Sequence, residues 1–236
     1  MMNEKNISLR RKKFIREWTE IIIVAFLIAM LIKSFLIEAV TIPSGSMEDT
    51  LLIKDNLFID RFLYGVTLPL IQKPLHILEF RTPNRFDLVV FPAPKLAMSD
   101  KQKKLFIKRV VGLPGDEIRI KDNVLYINGF AQNEPWVKIT PPEKGSLYAS
   151  EWPFTDYRIY VNVAQYISVY GEAPSLENWP PEPGKPYQIP EGHVFLLGDN
   201  RCHSFDSRWW GPIPIKAIEG VVLIRYWPLN RFGIPN

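Results

Sequence analysis

The sequence is poor in cysteine and histidine, with one cysteine and three histidines among 236 residues. A single cysteine, Cys202, excludes a framework of disulfide bonds within the chain. The sequence also lacks the ligand spacings typical of metal sites and the glycine-rich loops that bind phosphate groups. We therefore expect neither a metal nor a cofactor.

A strong excess of charge of one sign is also missing. The formal net charge is +4, and acidic and basic residues are interspersed. No basic repeat or recognition helix indicates binding to nucleic acid. Aromatic residues make up 13% of the chain and prolines number 21, a composition that favours strands and turns over a helical bundle.

Long apolar runs are scarce, and the one strongly apolar segment lies near the N-terminus. Residues 21–32 are uninterrupted apolar sequence, Lys33 and Ser34 interrupt the run, and residues 35–37 continue it. Seventeen residues are close to the shortest length that crosses a bilayer as a helix. The alternative is a cleaved signal peptide, whose apolar region is shorter, but no clean small-x-small cleavage site follows the run.

Basic residues precede this segment, and basic flanks remain in the cytoplasm. We therefore expect a cytoplasmic basic tail over residues 1–19 and a transmembrane helix over residues 20–38. The remainder of the chain would then be a body on the outer face of the membrane.

The body is predicted to be mostly β, with an antiparallel sheet, because its apolar runs are short and no amphipathic helices separate them. Residues 39–129 and 193–236 would form the two parts of a catalytic core, and the proline-rich residues 130–192 an inserted subdomain. Residues 158–169 could add a strand or two to that insertion. The predicted core strands cover residues 56–62, 86–91, 105–111, 117–120, 124–127, 193–197 and 219–227.

The residues that follow the apolar segment place two hydroxyl groups close together, in Pro43-Ser44-Gly45-Ser46-Met47. Ser46 would lie just outside the membrane if the preceding segment spans it. Serine alone is a weak nucleophile and needs an adjacent base, so the chemistry depends on what the rest of the chain supplies.

The histidines are weak candidates for that base. His76 lies in a proline-bounded loop and His193 opens an apolar strand, so a structural role is expected for both. Cys202 and His203 share a polar turn with Ser204, which raises a Cys/His peptidase site as an alternative. Neighbouring residues in a turn rarely face one another, however, and a thiol nucleophile needs a partner in space.

Lys108 is the more promising candidate, because it lies inside a predicted strand. Alternate residues of a strand share a face, so Phe106, Lys108 and Val110 point the same way. Burial on such an apolar face lowers the pKa of an amine towards neutrality, and a neutral amine can accept a proton from serine. Two alternatives remain at this point: the amine reaches water, or it pairs with an acid.

Four separate stretches together resemble the type I signal peptidases, which are membrane-bound serine endopeptidases with a Ser/Lys dyad. Residues 43–47 with Leu51 resemble the family's nucleophile box, and residues 55–65 resemble its second box. Residues 108–116 resemble the lysine box, and residues 198–201 with residues 204–211 resemble the last box. One of these stretches alone would be weak evidence, but all four occur in the family's order.

The resemblance implies roles for particular residues. Ser46 would be the nucleophile and Lys108 the general base, and the Ser46 N–H with the Ser44 hydroxyl would stabilise the oxyanion. Ser204 would orient the Lys108 amine through a hydrogen bond, and an Asp206–Arg208 ion pair would support the loop. The residues implied to line the substrate pockets are Ile42, Pro43, Met47, Leu51, Phe106 and Ile107.

The resemblance also implies the substrates and the location. The substrates would be exported preproteins with small residues at the first and third positions before the cut, and the enzyme would lie in the bacterial inner membrane. Trp209, Trp210, Trp227 and Phe232 could form an apolar rim that enters the lipid, or could pack in the core. The enzymatic rival is another Ser/Lys peptidase, such as the self-cleaving SOS-response repressors, but these need a DNA-binding module and none is predicted before this core. The rival of another class is a catalytically silent, membrane-tethered β-domain that binds exported chains.

The chain departs from the family pattern at three points. Glu48-Asp49 stands where the family usually has a residue followed by proline, Asp55-Asn56 replaces Gly-Asp, and Cys202-His203 replaces Asp-Asn. The first departure bears on the shape of the turn after Met47. The last changes the polarity of the loop before Ser204, and Cys202→Ser is expected to retain activity.

Overall fold

The computed structural model describes residues 13–26, 37–61, 82–92, 105–140, 152–153 and 182–235. This part of the chain holds a helix at residues 13–26, eleven strands and several short helical turns. The strands are β1 (Ile37–Thr41), β2 (Asn56–Asp60), β3 (Leu88–Pro92), β4 (Leu105–Gly112), β5 (Glu117–Lys121), β6 (Val124–Ile127), β7 (Phe130–Ala131), β8 (Tyr187–Gln188), β9 (His193–Leu197), β10 (Ile213–Pro214) and β11 (Gly220–Trp227). A four-residue helix, Ser207–Trp210, lies between β9 and β10.

The strands form two antiparallel sheets. The larger sheet has the order β1-β2-β11-β3-β4-β9-β10, and the smaller has the order β7-β6-β5-β8. β11, the last long strand, lies between β2 and β3 and so joins the two ends of the chain in one sheet. The prediction of a mostly β, antiparallel body is confirmed.

β9 is covered on both faces, and all five of its residues are buried. Phe195 and Leu197 pack with the smaller sheet, while Val194 and Leu196 pack with β3 and β4 on the other face. This is the continuous apolar pattern expected of a strand that is covered on both faces. The turn that follows β9 is therefore held in a fixed position beside β4.

The predicted strands agree with the observed ones to within one or two residues at most ends. The hairpin of β5 and β6 is confirmed, and β9 has the predicted bounds. The short strands β7 and β8 lie near the two ends of the predicted insertion and pair with β6 and β5. The strands predicted within residues 158–169 lie outside the described residues.

The predicted C-terminal end of the transmembrane segment was wrong. Ile37 and Glu38, placed in the span, belong to β1, where they pair with Asp60 and Ile59 of β2. Residues 27–36 of that segment lie outside the described residues. Among the helices that are described, none combines the length and the apolar character needed to cross a membrane.

Candidate active site

An open groove of about 890 Å³ runs along the larger sheet beside residues 40–48. Its floor and sides come from β1 and the turn after it, from the first half of β4, and from the loop after β9. Ser44, Ser46 and Lys108 all line this groove, so the structure brings together the hydroxyls and the amine singled out in the sequence.

Ser46 lies in a single 3₁₀ turn, Gly45–Met47, that is held from two sides. On one side the Met47 side chain is buried in an apolar cluster with Ile42 and Leu57. On the other side the backbone N–H of Asn200 donates to the Ser46 carbonyl oxygen at 3.1 Å, and the Asn200 side-chain amide donates to the Gly45 carbonyl oxygen at 3.2 Å. The turn that carries Ser46 is thus fixed to the loop after β9.

Lys108 reaches Ser46 from β4. Its Nζ donates a hydrogen bond to Ser46 Oγ at 2.5 Å and a second one to its neighbour's carbonyl, Ile107 O, at 3.2 Å. The residue is only 2% exposed, and the amine lies 5.3 Å from the centroid of the Phe106 ring. Neither of these two hydrogen bonds is to a carboxylate, so among the described contacts the amine is not held in an ion pair.

Burial lowers the pKa of the Lys108 amine from 10.5 to about 8. The carboxylates of Asp206 and Asp199 oppose this shift, and the positive charge of Arg208 adds to it. The desolvation of a charged amine outweighs the attraction of the two acids. A large share of Lys108 is therefore neutral at mildly alkaline pH.

Asp206 and Arg208 form a buried ion pair beside this lysine, as expected. Arg208 Nε and Nη2 donate to the two carboxylate oxygens of Asp206 at 2.8 and 2.9 Å, and both residues are 0% exposed. Burial alone would raise the pKa of the Asp206 carboxyl, but the charge of Arg208 and several hydrogen bonds leave that pKa lowered. Asp206 also accepts the backbone N–H of Gly198 at 3.0 Å, so the pair closes the loop 198–206.

Ser204 lies in the same loop, but it does not make the contact that was expected of it. Its Oγ is buried, and no hydrogen bond joins it to the Lys108 amine, so the predicted bond is not formed. The Ser204 hydroxyl instead helps to lower the pKa of Asp206. The reason is packing: Gly198 lies against the Ser204 side chain and against the Ser46 carbonyl oxygen. Ser204 is thus packed against Gly198, beside the turn that carries Ser46.

A second buried cluster, between Arg109, Asp199 and Thr50, was not predicted from the sequence. Arg109 Nε and Nη2 donate to the two Asp199 carboxylate oxygens at 2.9 and 2.7 Å, and the Thr50 hydroxyl donates to Asp199 Oδ2 at 2.5 Å. This cluster links three segments: β4, which carries Lys108; the loop after β9; and the residues just after the Ser46 turn. One signal was present in the sequence, because an arginine inside a buried strand requires a carboxylate partner.

Comparison with known proteins decides the family. The family model described as "Signal peptidase, peptidase S26" matches residues 15–227. The chain belongs to this signal peptidase family. It is therefore a hydrolase, a serine endopeptidase of the class that removes signal peptides, as the four sequence boxes implied.

The chain is also similar to individual proteins of known sequence or structure. The chain is 34% identical to signal peptidase I of Pseudomonas fluorescens, over 97% of this chain and 79% of the relative. It is 32% identical to a probable thylakoidal processing peptidase 2 of Arabidopsis thaliana, over 88% of this chain and 42% of that one. Among solved structures, a signal peptidase I of Enterococcus faecalis is 28% identical, covers 61% of this chain and 98% of its own, and has a TM-score of 0.39.

Five of the six predicted pocket residues of this signal peptidase line the groove: Ile42, Pro43, Met47, Phe106 and Ile107. The prediction for Leu51 was wrong. Leu51 is 0% exposed and packs under the groove with Leu57 and Leu88, because the chain turns inward after Met47. Its place in the nucleophile box thus reflects a core contact that supports the turn.

The other candidate bases and the tryptophans divide between the core and the surface. Cys202 is fully buried and does not line the groove, whereas His203 does. His193 is buried with its Nδ1 2.8 Å from the Glu191 carbonyl oxygen, and His76 lies outside the described residues.

The four aromatic residues proposed for an apolar rim divide in the same way. Trp209 and Trp210 are buried in the core, whereas Trp227 and Phe232 are more than half exposed.

Proposed function

We propose that Ser46 is the nucleophile and Lys108 the general base of this signal peptidase. The observation that carries the proposal is the 2.5 Å contact between Lys108 Nζ and Ser46 Oγ at the base of the groove. A general base must lie within hydrogen-bond reach of the proton that it accepts, and its pKa must be close to the working pH. The amine meets both conditions, since its pKa is lowered to about 8.

The reaction proceeds through an acyl-enzyme. The neutral Lys108 amine takes the Ser46 proton as Oγ attacks the carbonyl carbon of the scissile bond, and the resulting ammonium donates that proton to the leaving amine of the mature protein. A water molecule then attacks the ester and gives its proton to the Lys108 amine. Collapse of this second intermediate releases the carboxylate of the signal peptide, and the proton returns from Lys108 to Ser46 Oγ.

The oxyanion is assigned to the backbone N–H of Ser46 and the hydroxyl of Ser44. Ser44 precedes the 3₁₀ turn in an extended conformation and lines the groove together with Ser46. Such preorganised donors typically lower the barrier by about 2.7–4 kcal/mol each. The rigid attachment of the turn to Asn200 supports this role, since it holds the donors before the substrate arrives.

The apolar part of the groove is assigned to the signal-peptide side of the substrate. Ile42, Phe106 and Ile107 lie there, and small residues at the first and third positions before the cut would fit pockets that these side chains make shallow. Among the described residues β1 is an edge of the larger sheet. An extended substrate could therefore pair beside it as an added strand.

We place the enzyme in the bacterial inner membrane, anchored by one span within residues 20–36, with its N-terminus in the cytoplasm and its body outside. β1 begins at Ile37, the last residue of the apolar segment, and leads into the groove. Trp227 pairs with Asn56, which pairs with Thr41, so this exposed tryptophan lies at the end of the sheet nearest the nucleophile turn. The exposed apolar residues Trp227, Leu229 and Phe232 support contact with lipid at that end.

Cleavage of a preprotein by the wild type, Ser46→Ala and Lys108→Ala tests the dyad. We expect cleavage by the wild type alone, and equal cleavage by all three would overturn the assignment. No cleavage by a folded wild type would favour the silent binding domain instead. Protease added outside sealed cells should digest the body, and full protection would overturn the orientation.

A further inference from the structure

The groove has two walls of different chemistry. The apolar wall consists of Val40, Ile42, Leu105, Phe106 and Ile107, and the polar wall consists of Glu48, Lys138, Asn200 and His203. The contact between Ser46 and Lys108 lies where the two walls meet. Lys108 follows Ile107 of the apolar wall in β4, and the Ser46 carbonyl oxygen accepts the N–H of Asn200 in the polar wall. A substrate that reaches Ser46 must therefore touch both walls.

The polar wall is a connected set of contacts. Asn200 Nδ2 donates to Glu48 Oε2 at 3.1 Å, Lys138 Nζ lies 3.8 Å from the same oxygen, and His203 Nδ1 lies 3.3 Å from Asn200 Oδ1. Behind the wall, Lys138 Nζ also donates to Asp49 Oδ1 at 3.1 Å. The backbone of Lys138 is held by hydrogen bonds to the loop after β9, so its side chain can be changed without releasing the chain there.

The charges of the polar wall and of Asp49 behind it do not cancel. Glu48 and Asp49 carry two negative charges and Lys138 carries one positive charge, which leaves one net negative charge when His203 is counted as neutral. The two carboxylates are the Glu48-Asp49 pair at which the chain departs from the usual family sequence. Their side chains are 44% and 59% exposed, so they can meet a charge on the substrate.

Resting on the proposed function, we infer that the polar wall contacts the residues just after the cleaved bond and favours a basic over an acidic side chain there. The signal-peptide side of the substrate is small and apolar and takes the apolar wall. Residues on the two sides of the bond leave Ser46 in opposite directions, so the first residues of the mature protein reach the polar wall. Two extended residues span about 7 Å, enough to pass from Ser46 to Glu48.

The test uses peptide substrates that are identical except for lysine, glutamine or glutamate at the first, second or third position after the cut. The measured quantity is the ratio of kcat/KM for the lysine peptide to kcat/KM for the glutamate peptide at low salt. We expect a ratio of about two to five at one of these positions in the wild type, the size typical of an exposed charge pair. High salt should bring the ratio towards one, because exposed charges are screened.

Variants move this ratio in opposite directions. Glu48→Gln and Asp49→Asn should each bring it towards one, and asparagine suits position 49 because its φ of 81° lies in the left-handed region. Lys138→Met should raise the ratio. Lys185→Met is the matched control, since Lys185 pairs with Glu182 outside the groove, and it should leave the ratio at the wild-type value.

The outcomes separate this inference from the proposed function. If the wild type cleaves the glutamine peptide, Ser46→Ala does not, and the lysine-to-glutamate ratio is one at all three positions, the inference is overturned while the dyad stands. A ratio above one that Glu48→Gln, Asp49→Asn and Lys138→Met all leave unchanged also overturns it. If Ser46→Ala cleaves as well as the wild type, both fail together.

Discussion

Gly198 packs directly on Ser204. A Cβ atom at position 198 would lie 2.1 Å from Ser204 Oγ and 2.6 Å from the Ser46 carbonyl oxygen, both far inside van der Waals contact. The glycine is thus needed for close approach, and it allows the loop after β9 to reach the turn that carries the nucleophile.

We expect Gly198→Ala to displace the nucleophile turn. A misplacement of about 1 Å can reduce kcat/KM about 100-fold, and steady-state cleavage of a peptide substrate measures this. Gly220→Ala is the control, because its Cβ would lie 2.6 Å from the Asp60 carbonyl oxygen but Gly220 does not line the groove. That variant should lose thermal stability and keep most of its kcat/KM per folded molecule. A folded Gly198→Ala enzyme with wild-type kcat/KM would contradict this account of the loop.

Asp206→Asn should change both stability and the pH profile. Loss of the carboxylate leaves Arg208 buried without its partner, which should lower the free energy of unfolding by about 3–5 kcal/mol in urea titrations. The Asp206 charge also raises the pKa of Lys108, so its removal should lower that pKa further and move the rising limb of activity to lower pH. Glu134→Gln, which breaks the buried pair with Arg201, should not move the limb. A rising limb that moves to higher pH in Asp206→Asn would refute the electrostatic role of Asp206.

Leu51→Ala tests the division between core and pocket. Leu51 is fully buried, so we expect a loss of about 2–5 kcal/mol in the free energy of unfolding and no change in substrate selectivity. Ile107→Ala, which widens the groove, should instead increase the acceptance of bulkier residues before the cut. A panel of peptides with alanine, valine or leucine at the first and third positions distinguishes the two. Altered substrate selectivity in Leu51→Ala would show that Leu51 does shape the substrate pocket.

The stability of the wild type relative to Lys108→Met should depend on pH. The pKa of Lys108 is lowered to about 8 in the folded state from 10.5, so between these values the unfolded state binds more protons. Stability attributable to Lys108 therefore rises with pH across this window, by up to about 1.4 kcal/mol per pH unit. Below pH 8 the difference between the two proteins should be constant. Urea unfolding of both proteins between pH 7 and pH 10 measures it, and a flat difference throughout would show that Lys108 titrates normally.

Much of the fold could be predicted because the strands are short, apolar and bounded by turn residues. β9 and the hairpin of β5 and β6 follow directly from such patterns. β1 was missed because Ile37 continues the apolar run before it, and only pairing with β2 makes it a strand. Local sequence does not contain that long-range contact.

The candidate site was predictable in its reacting groups and less so in their surroundings. Alternation in β4 placed Lys108 with Phe106, and the structure brings its amine to Ser46. The position of Leu51 below the groove and the packing of Ser204 against Gly198 depend on contacts between distant segments. The pairing of Arg109 with Asp199 spans 90 residues and has the same origin.

The central claim is that a neutral Lys108 amine accepts the proton of Ser46. The dependence of kcat/KM on pH for a signal-peptide substrate tests it most directly, because it reports the protonation of the free enzyme. We predict a limb that rises with pH, has its midpoint near the Lys108 pKa of about 8, and is abolished in Lys108→Ala. A profile that is flat from pH 6 to pH 10, or a midpoint at the ordinary lysine value, would contradict the account.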